Sequence, residues 1–144
     1  MLHKNDEDIL NTIYKNSRMA YDSTRQVIGE CPNEELNEYL RRQTKHYAEI
    51  CSTARKRLEA SGMKARPVPP MQLAMAHVGI MMKTAADKSK GHIAELMYDG
   101  TNMGIVNIAR SVNRSSNASP DTIRLAENLL SDEEKYADGL RKFL

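Results

Sequence analysis

The sequence contains no tryptophan, one phenylalanine and two cysteines among its 144 residues. No sustained run alternates β-branched or aromatic residues with polar ones, so strands are not expected. Cys31 and Cys51 would lie on the order of 27 Å apart along a straight helix, which is too far for a disulfide within the chain. These absences favour an all-α protein with reduced cysteines.

Charge of one sign is not in excess either. Lys and Arg number 21 against 19 Asp and Glu, and the formal net charge is +2. A dedicated nucleic-acid binder usually concentrates basic charge on one face, so we expect no nucleic-acid partner. The basic residues near the end of the second predicted helix also complement the helix dipole.

Long apolar runs are missing as well. Residues 1–8 include acids and lack the apolar core of a signal peptide, and no segment is apolar enough to cross a bilayer. We therefore expect a cytoplasmic protein without membrane contact. The length of the chain is typical of one domain, here 1–144.

Signals for helix ends, by contrast, are frequent. Asn5 is predicted to cap the first helix and Ser119 the last, which has proline in its first turn. Gly29 and Gly62 follow the first two helices. The predicted helices are 6–28, 33–61, 70–86, 89 or 91 to 112, and 120–144. Four long helices and a short third one predict an antiparallel four-helix bundle with an extra helix after the crossover.

Each long helix carries one stripe of inward-facing residues with steps of three and four. The predicted stripes are Leu10, Ile13, Ser17, Ala20, Thr24 and Val27; Leu36, Leu40, Gln43, Tyr47, Ile50, Ala54 and Leu58; Ile93, Met97, Gly100, Gly104 and Ile108; and Ile123, Ala126, Leu130, Glu133, Ala137, Leu140 and Leu144. The stripe through Gly100 and Gly104 permits either a close helix approach, which we favour, or a cavity.

Polar residues interrupt these stripes at two places. Gln43 and His46 lie one turn apart on the second helix, and Glu133 and Tyr136 lie one turn apart on the last. A buried amide or carboxylate without a partner is costly, so these groups should bond to one another or to water.

This layout resembles the ferritin-like and rubrerythrin-like bundles, and looks most like small bacterial members of that superfamily with an additional helix after the crossover. The segment that most indicates it is LAENLLSDEEKY, residues 125–136. Proteins of this superfamily hold a di-iron centre with Glu-x-x-His on two helices and one Glu on each of the others.

The resemblance places the ligand motifs on Gln43-x-x-His46 and Glu133-x-x-Tyr136. It places the single Glu of the first helix near Tyr14 and that of the fourth near Met97 or Gly100. Only His46 and Glu133 match the ligand set, and neutral Gln and Tyr replace bridging carboxylates poorly. We therefore expect no metal or cofactor.

Two hypotheses about function follow. The preferred one is a non-catalytic, metal-free ferritin-like bundle that associates with itself or with an unidentified protein partner. The alternative is a metal-binding oxidoreductase or small-ligand site built on His46 and Glu133, with Tyr14, Gln43 and Tyr136 around it. The third helix has apolar residues on more than one face, so we expect a homodimer with Met71, Met75 or Met82 near the contact.

Overall fold

The computed structural model describes residues 3–144 of the chain, and in that range it contains helices and no strand. This confirms the predicted all-α fold. The helices are α1, Lys4–Val27; α2, Glu34–Ala60; α3, Pro70–Ala86; α4, Lys90–Arg114; and α5, Pro120–Leu140, followed by a 3₁₀ turn, Arg141–Phe143.

Side-chain caps begin three of the helices near their predicted starts, and of these caps the sequence predicted the one at Ser119. Asn33 accepts a hydrogen bond from the Leu36 amide at 2.9 Å, and Ser89 and Ser119 cap α4 and α5 in the same way. The last helix ends earlier than expected, because the chain tightens into the 3₁₀ turn after Leu140.

The start of α1 differs from the prediction. His3, not Asn5, is the N-cap, and the Asp6 carboxylate reaches back to accept from the His3 amide at 2.9 Å. Asn5 therefore lies inside the first turn, and the acid three residues after the cap closes a capping box.

Neighbouring helices pack into two buried clusters. α1 packs most extensively against α2, α4 against α5, and α1 also contacts α4, α3 and α5. One cluster contains Val27, Cys31, Leu36, Leu40, Ile93, Ala94, Met97, Leu140 and Phe143, and the other contains Ile9, Ile13, Ala54, Ile108, Ala118, Ala126 and Leu129. Both cysteines are free thiols.

The inward faces of two helices differ from the predicted stripes. On α5, Leu129 is buried and Leu130 is only half-buried. On α4, Ala94 and Thr101 are buried with Met97, while Gly100 is exposed and Gly104 is half-buried. Residues 94 and 101 are two turns apart, so α4 is rotated slightly from the predicted orientation.

α3 contributes little to the buried core. Its inward side carries Leu73, Ala76, Ile80 and the buried Thr84, whereas Met71, Met75 and Met82 are 75%, 69% and 67% exposed. None of the helices within residues 3–144 is both long enough and apolar enough to span a membrane.

Adding a methyl group should have opposite effects on stability at two glycines within helices. A Cβ at Gly139 would overlap the hydroxyl of Tyr39, which donates to the Tyr136 carbonyl oxygen at 3.0 Å, whereas a Cβ at Gly100 meets nothing within 4 Å. We expect Gly139→Ala to destabilise the fold by about 1–3 kcal/mol through overpacking. Gly100→Ala should stabilise it by about 0.5–1 kcal/mol. Urea unfolding of both variants tests this, and a stabilised Gly139→Ala would contradict the packing at Tyr39.

Candidate ligand-binding cavity

A cavity of about 240 Å³ lies between α1 and α4. Its walls are residues of these two helices, and its remaining sides come from Gln43 and Tyr47 of α2, Leu129 and Glu133 of α5, and Gln72 of α3. The wall residues are Asn16, Ser17, Met19, Ala20, Ser23 and Thr24 of α1 and Met97, Gly100, Thr101, Met103, Gly104, Asn107 and Ile108 of α4. Helices α1 to α5 therefore all contribute to the cavity, which is partly open to solvent where Gly100, Met103 and Asn107 line it.

Small side chains keep this space open. Ser17, Ala20 and Ser23 face the cavity from α1, and Gly100 and Gly104 face it from α4. A Cβ at Gly104 would find only Glu133 Oε2, at 3.7 Å, and one at Gly100 would find no neighbour. The favoured interpretation of these glycines, a close helix approach, is wrong; they line the cavity that was the alternative.

Among the described residues that line the cavity, Glu133 is the only one with a carboxylate. Its side chain projects from the inward stripe of α5 and is 4% exposed, as its place in that stripe predicted. Oε2 accepts a hydrogen bond from the Tyr47 hydroxyl at 3.1 Å, while Oε1 is buried and has no hydrogen-bond partner in the described part of the chain. One of the two carboxylate oxygens thus accepts no hydrogen bond from residues 3–144.

The electrostatic surroundings of Glu133 favour its protonated form. Burial raises the pKa of Glu133 to about 7, and the nearby Asp132 carboxylate adds to the rise. The hydrogen bond from Tyr47 opposes this shift by stabilising the ionised form. The carboxyl group therefore changes charge near neutral pH.

Tyr47 is the hydrogen-bond donor to Glu133 that sequence reasoning did not identify. It lies one turn after Gln43 in the predicted stripe of α2, where it was interpreted only as an apolar seam residue. Its side chain is 3% exposed, and burial together with the Glu133 charge holds the pKa of Tyr47 well above its usual value. It therefore remains a hydroxyl donor. Gln43, 2% exposed, lines the cavity beside it.

His46 and Tyr136 form a different cluster, outside the cavity lining. The His46 ring packs edge-on against Tyr136 with 5.2 Å between ring centroids, and its Nε2 lies 3.6 Å from Asp132 Oδ2. Burial and the charge of Asp132 raise the pKa of Tyr136 to about 12. His46 therefore lies beside Asp132, whereas Glu133 is hydrogen-bonded to Tyr47.

Tyr14 lies at a third place. It packs against the cluster around Ile9, Ile13 and Ala54, and its carbonyl oxygen is 3.9 Å from the Cys51 thiol. Of the five residues assigned to one polar layer, only Gln43 and Glu133 line the cavity. The resemblance placed Tyr14 in that layer, and the packing of α1 against α2 places it elsewhere.

A second, open cleft adjoins the cavity. Asn16 and Asn107 line both, and the Asn107 side-chain amide donates to the Asn16 oxygen at 3.4 Å on the boundary between them. The cleft carries one acid, Asp8, and the basic side chains of Lys15, Arg66, Arg110 and Arg114, whereas none of the described residues that line the cavity is basic. The two spaces therefore differ in electrostatic character.

Within residues 3–144, no three or more His, Cys, Asp or Glu side chains are grouped so that they could hold a metal ion. No protein family, curated protein or solved structure matches the chain.

Proposed function

We propose that this chain is a small-molecule-binding helical bundle whose site is the cavity between α1 and α4. The observation that carries the proposal is Glu133, a buried carboxyl group that lines the cavity and has one oxygen without a hydrogen-bond partner among residues 3–144. In this proposal the long helices form an antiparallel four-helix bundle of ferritin-like type, with α3 as the additional helix. The proposal develops the small-ligand alternative and uses Glu133 without His46.

A purely structural role explains this arrangement poorly. Protein interiors are normally close-packed, and an unfilled space forfeits dispersion contacts with its walls. A buried carboxyl group adds a desolvation cost that one hydrogen bond offsets only in part. Both features occur here in the same enclosure, and pockets that bind small molecules combine apolar walls with a few polar groups in this way.

Filling the cavity tests this function. Gly104→Leu places a large side chain beside Glu133, while Gly104→Ala adds only a methyl group at an ordinary contact distance. We expect benzyl alcohol, used as a neutral probe, to bind the parent with a millimolar dissociation constant, as its size allows. Gly104→Ala should retain this binding and Gly104→Leu should weaken it at least tenfold, as measured by ligand-observed NMR.

The result that would contradict the proposal is equal binding to the alanine and leucine variants, or no binding to the parent. Chemical-shift changes of Tyr47 and Thr101 on adding the probe provide a second, positional readout. Thermal melting of both variants serves as the control for folding.

Self-association through α3 is a second candidate function, favoured by the exposure of Met71, Met75 and Met82. Flexible methionine side chains adapt to apolar partners, and exposed apolar patches often mark contact surfaces. We expect light scattering to show twice the 16.3 kDa of one chain. The Met75→Lys variant should have the mass of the monomer. Met103→Lys, at a similarly exposed methionine of α4, is the matched control and should retain the mass of the dimer. A parent of monomer mass at high micromolar concentration would refute the homodimer.

A further inference from the structure

We infer that the cavity takes a compact organic cation, an amine with a short apolar body, whose ammonium group pairs with Glu133. This inference rests on the proposed function, because it names the ligand class of the same site. Three properties of the enclosure carry it: the sign of its charge, the direction of its free hydrogen-bonding groups, and the nature of its remaining walls.

The charge of the cavity has one sign. Of the lining residues within 3–144, Glu133 is the only acid, and none is Lys, Arg or His. An anionic ligand would meet the Glu133 carboxylate without a compensating positive charge, which is unfavourable away from water. A cation would supply the counter-charge that Glu133 lacks inside the protein.

Two hydroxyl groups in the walls, those of Ser17 and Thr101, already donate their hydrogens within the protein. Ser17 donates to the Ile13 carbonyl oxygen at 2.7 Å, and Thr101 donates to the Met97 carbonyl oxygen at 2.8 Å. What these hydroxyls still offer is the lone pairs of their oxygens. Together with the Glu133 carboxylate they supply acceptors to the cavity, while the unpaired buried donor among the described lining residues, Asn16 Nδ2, lies on a residue that also lines the open cleft. An ammonium group has three donors and no acceptor, so it matches this set.

The remaining walls are apolar and limit the size of the ligand. Met19, Met97, Ile108 and Leu129 contribute thioether and aliphatic surface. The volume of about 240 Å³ is below the usual range for drug-sized ligands, about 300–1,000 Å³. A single ring or short chain beside the ammonium group fits this space.

Binding of such a cation should depend on pH, because only ionised Glu133 pairs with it. The ionisable groups around Glu133 are the phenols of Tyr39 and Tyr47 from α2 and Asp132 and Tyr136 from its own helix, with His46 of α2 beside Asp132. The cavity walls from α1, α3 and α4 contribute no ionisable side chain. With the pKa of Glu133 raised to about 7, the ionised fraction rises about tenfold between pH 6 and pH 8.

Three probes of similar shape test the inference: benzylamine, benzyl alcohol and benzoate, titrated against the parent protein by NMR. At pH 8 we expect benzylamine to bind at least tenfold more tightly than benzyl alcohol, and benzoate at least tenfold more weakly. Benzylamine affinity should fall about tenfold from pH 8 to pH 6, following the ionised fraction of Glu133, whereas that of benzyl alcohol should not.

Two variants on α5 provide the matched comparison. Glu133→Gln should reduce benzylamine affinity to that of benzyl alcohol and remove its pH dependence. Glu134→Gln changes the neighbouring exposed acid and should leave both unchanged. If benzyl alcohol binds the parent as tightly as benzylamine, or if benzoate binds best, the inference is overturned while the cavity retains its proposed function. If no probe binds, both fail. The pH profile of the parent tests the inference even if a variant does not fold.

Discussion

Glu133→Gln is expected to change the pH dependence of stability. The unfolding free energy of the variant should increase relative to that of the parent as pH rises. The pKa of Glu133 is about 7 in the folded protein against 4.5 for an ordinary glutamic acid. The folded state therefore holds the proton more tightly. The stability contributed by this group is complete below about pH 4.5 and is lost as pH rises through 7.

The amide variant lacks this titration, so the difference in unfolding free energy should move in its favour by about 3 kcal/mol between pH 4.5 and pH 8. Urea unfolding at a series of pH values measures this difference directly. Glu134→Gln is the control, since it removes an exposed acid of the same helix and should follow the parent curve. Parallel curves for parent and Glu133→Gln would show that Glu133 titrates normally.

The second large effect is expected at Asp6, which is fully buried and connects the start of α1 to the start of α5. Its carboxylate accepts from the His3 amide at 2.9 Å, the Ser119 amide at 2.8 Å and the Ser119 hydroxyl at 2.7 Å. Although burial acts in the opposite direction, these hydrogen bonds hold the pKa of Asp6 well below its usual value.

Asp6→Asn replaces the charged acceptor of these three hydrogen bonds with a neutral amide. The NH₂ group of that amide would then face the donors of His3 and Ser119. We expect a loss of about 2–4 kcal/mol in unfolding free energy. Because the pKa of Asp6 is lowered, its contribution is present above pH 3.8 and is lost only as pH falls through the lower, folded value. The difference from the parent should thus stay constant across neutral pH and shrink only in strong acid.

Asp8→Asn is the comparison for Asp6→Asn, since Asp8 pairs with Arg66 at the surface at 3.5 Å. It should change the unfolding free energy by less than about 1 kcal/mol. Urea unfolding at neutral pH compares the two substitutions. Equal effects of both would mean that Asp6 does not join α1 to α5 as the structure indicates.

Local patterns in the sequence identified most of the helix ends, because Asn33, Ser89 and Ser119 cap helices through contacts within one turn. The start of α1 was predicted incorrectly because it depends on a contact between residues far apart in the sequence. Asp6 is held in place by Ser119, which is distant along the chain, and this contact fixes the first turn around His3 instead of Asn5.

In the candidate site, too, features set within one helix were predictable and contacts between helices were not. The spacing of α5 correctly predicted that Glu133 is buried, since a polar residue in the middle of an apolar stripe faces inward with its neighbours. Its partner could not be predicted in this way. Tyr14, Gln43, His46 and Tyr136 were equally plausible donors, and the hydroxyl that reaches it belongs to Tyr47.

The sequence alone determined the all-α class, the approximate extent of each helix and the burial of Glu133, because these depend on spacing and capping within single helices. Tertiary structure decided the rotation of α4, the exposure of the α3 methionines and the opening of a cavity at Gly100 and Gly104. Those features depend on the distance and rotation between helices. The repeat along any one helix leaves both undetermined until all of the side chains pack together.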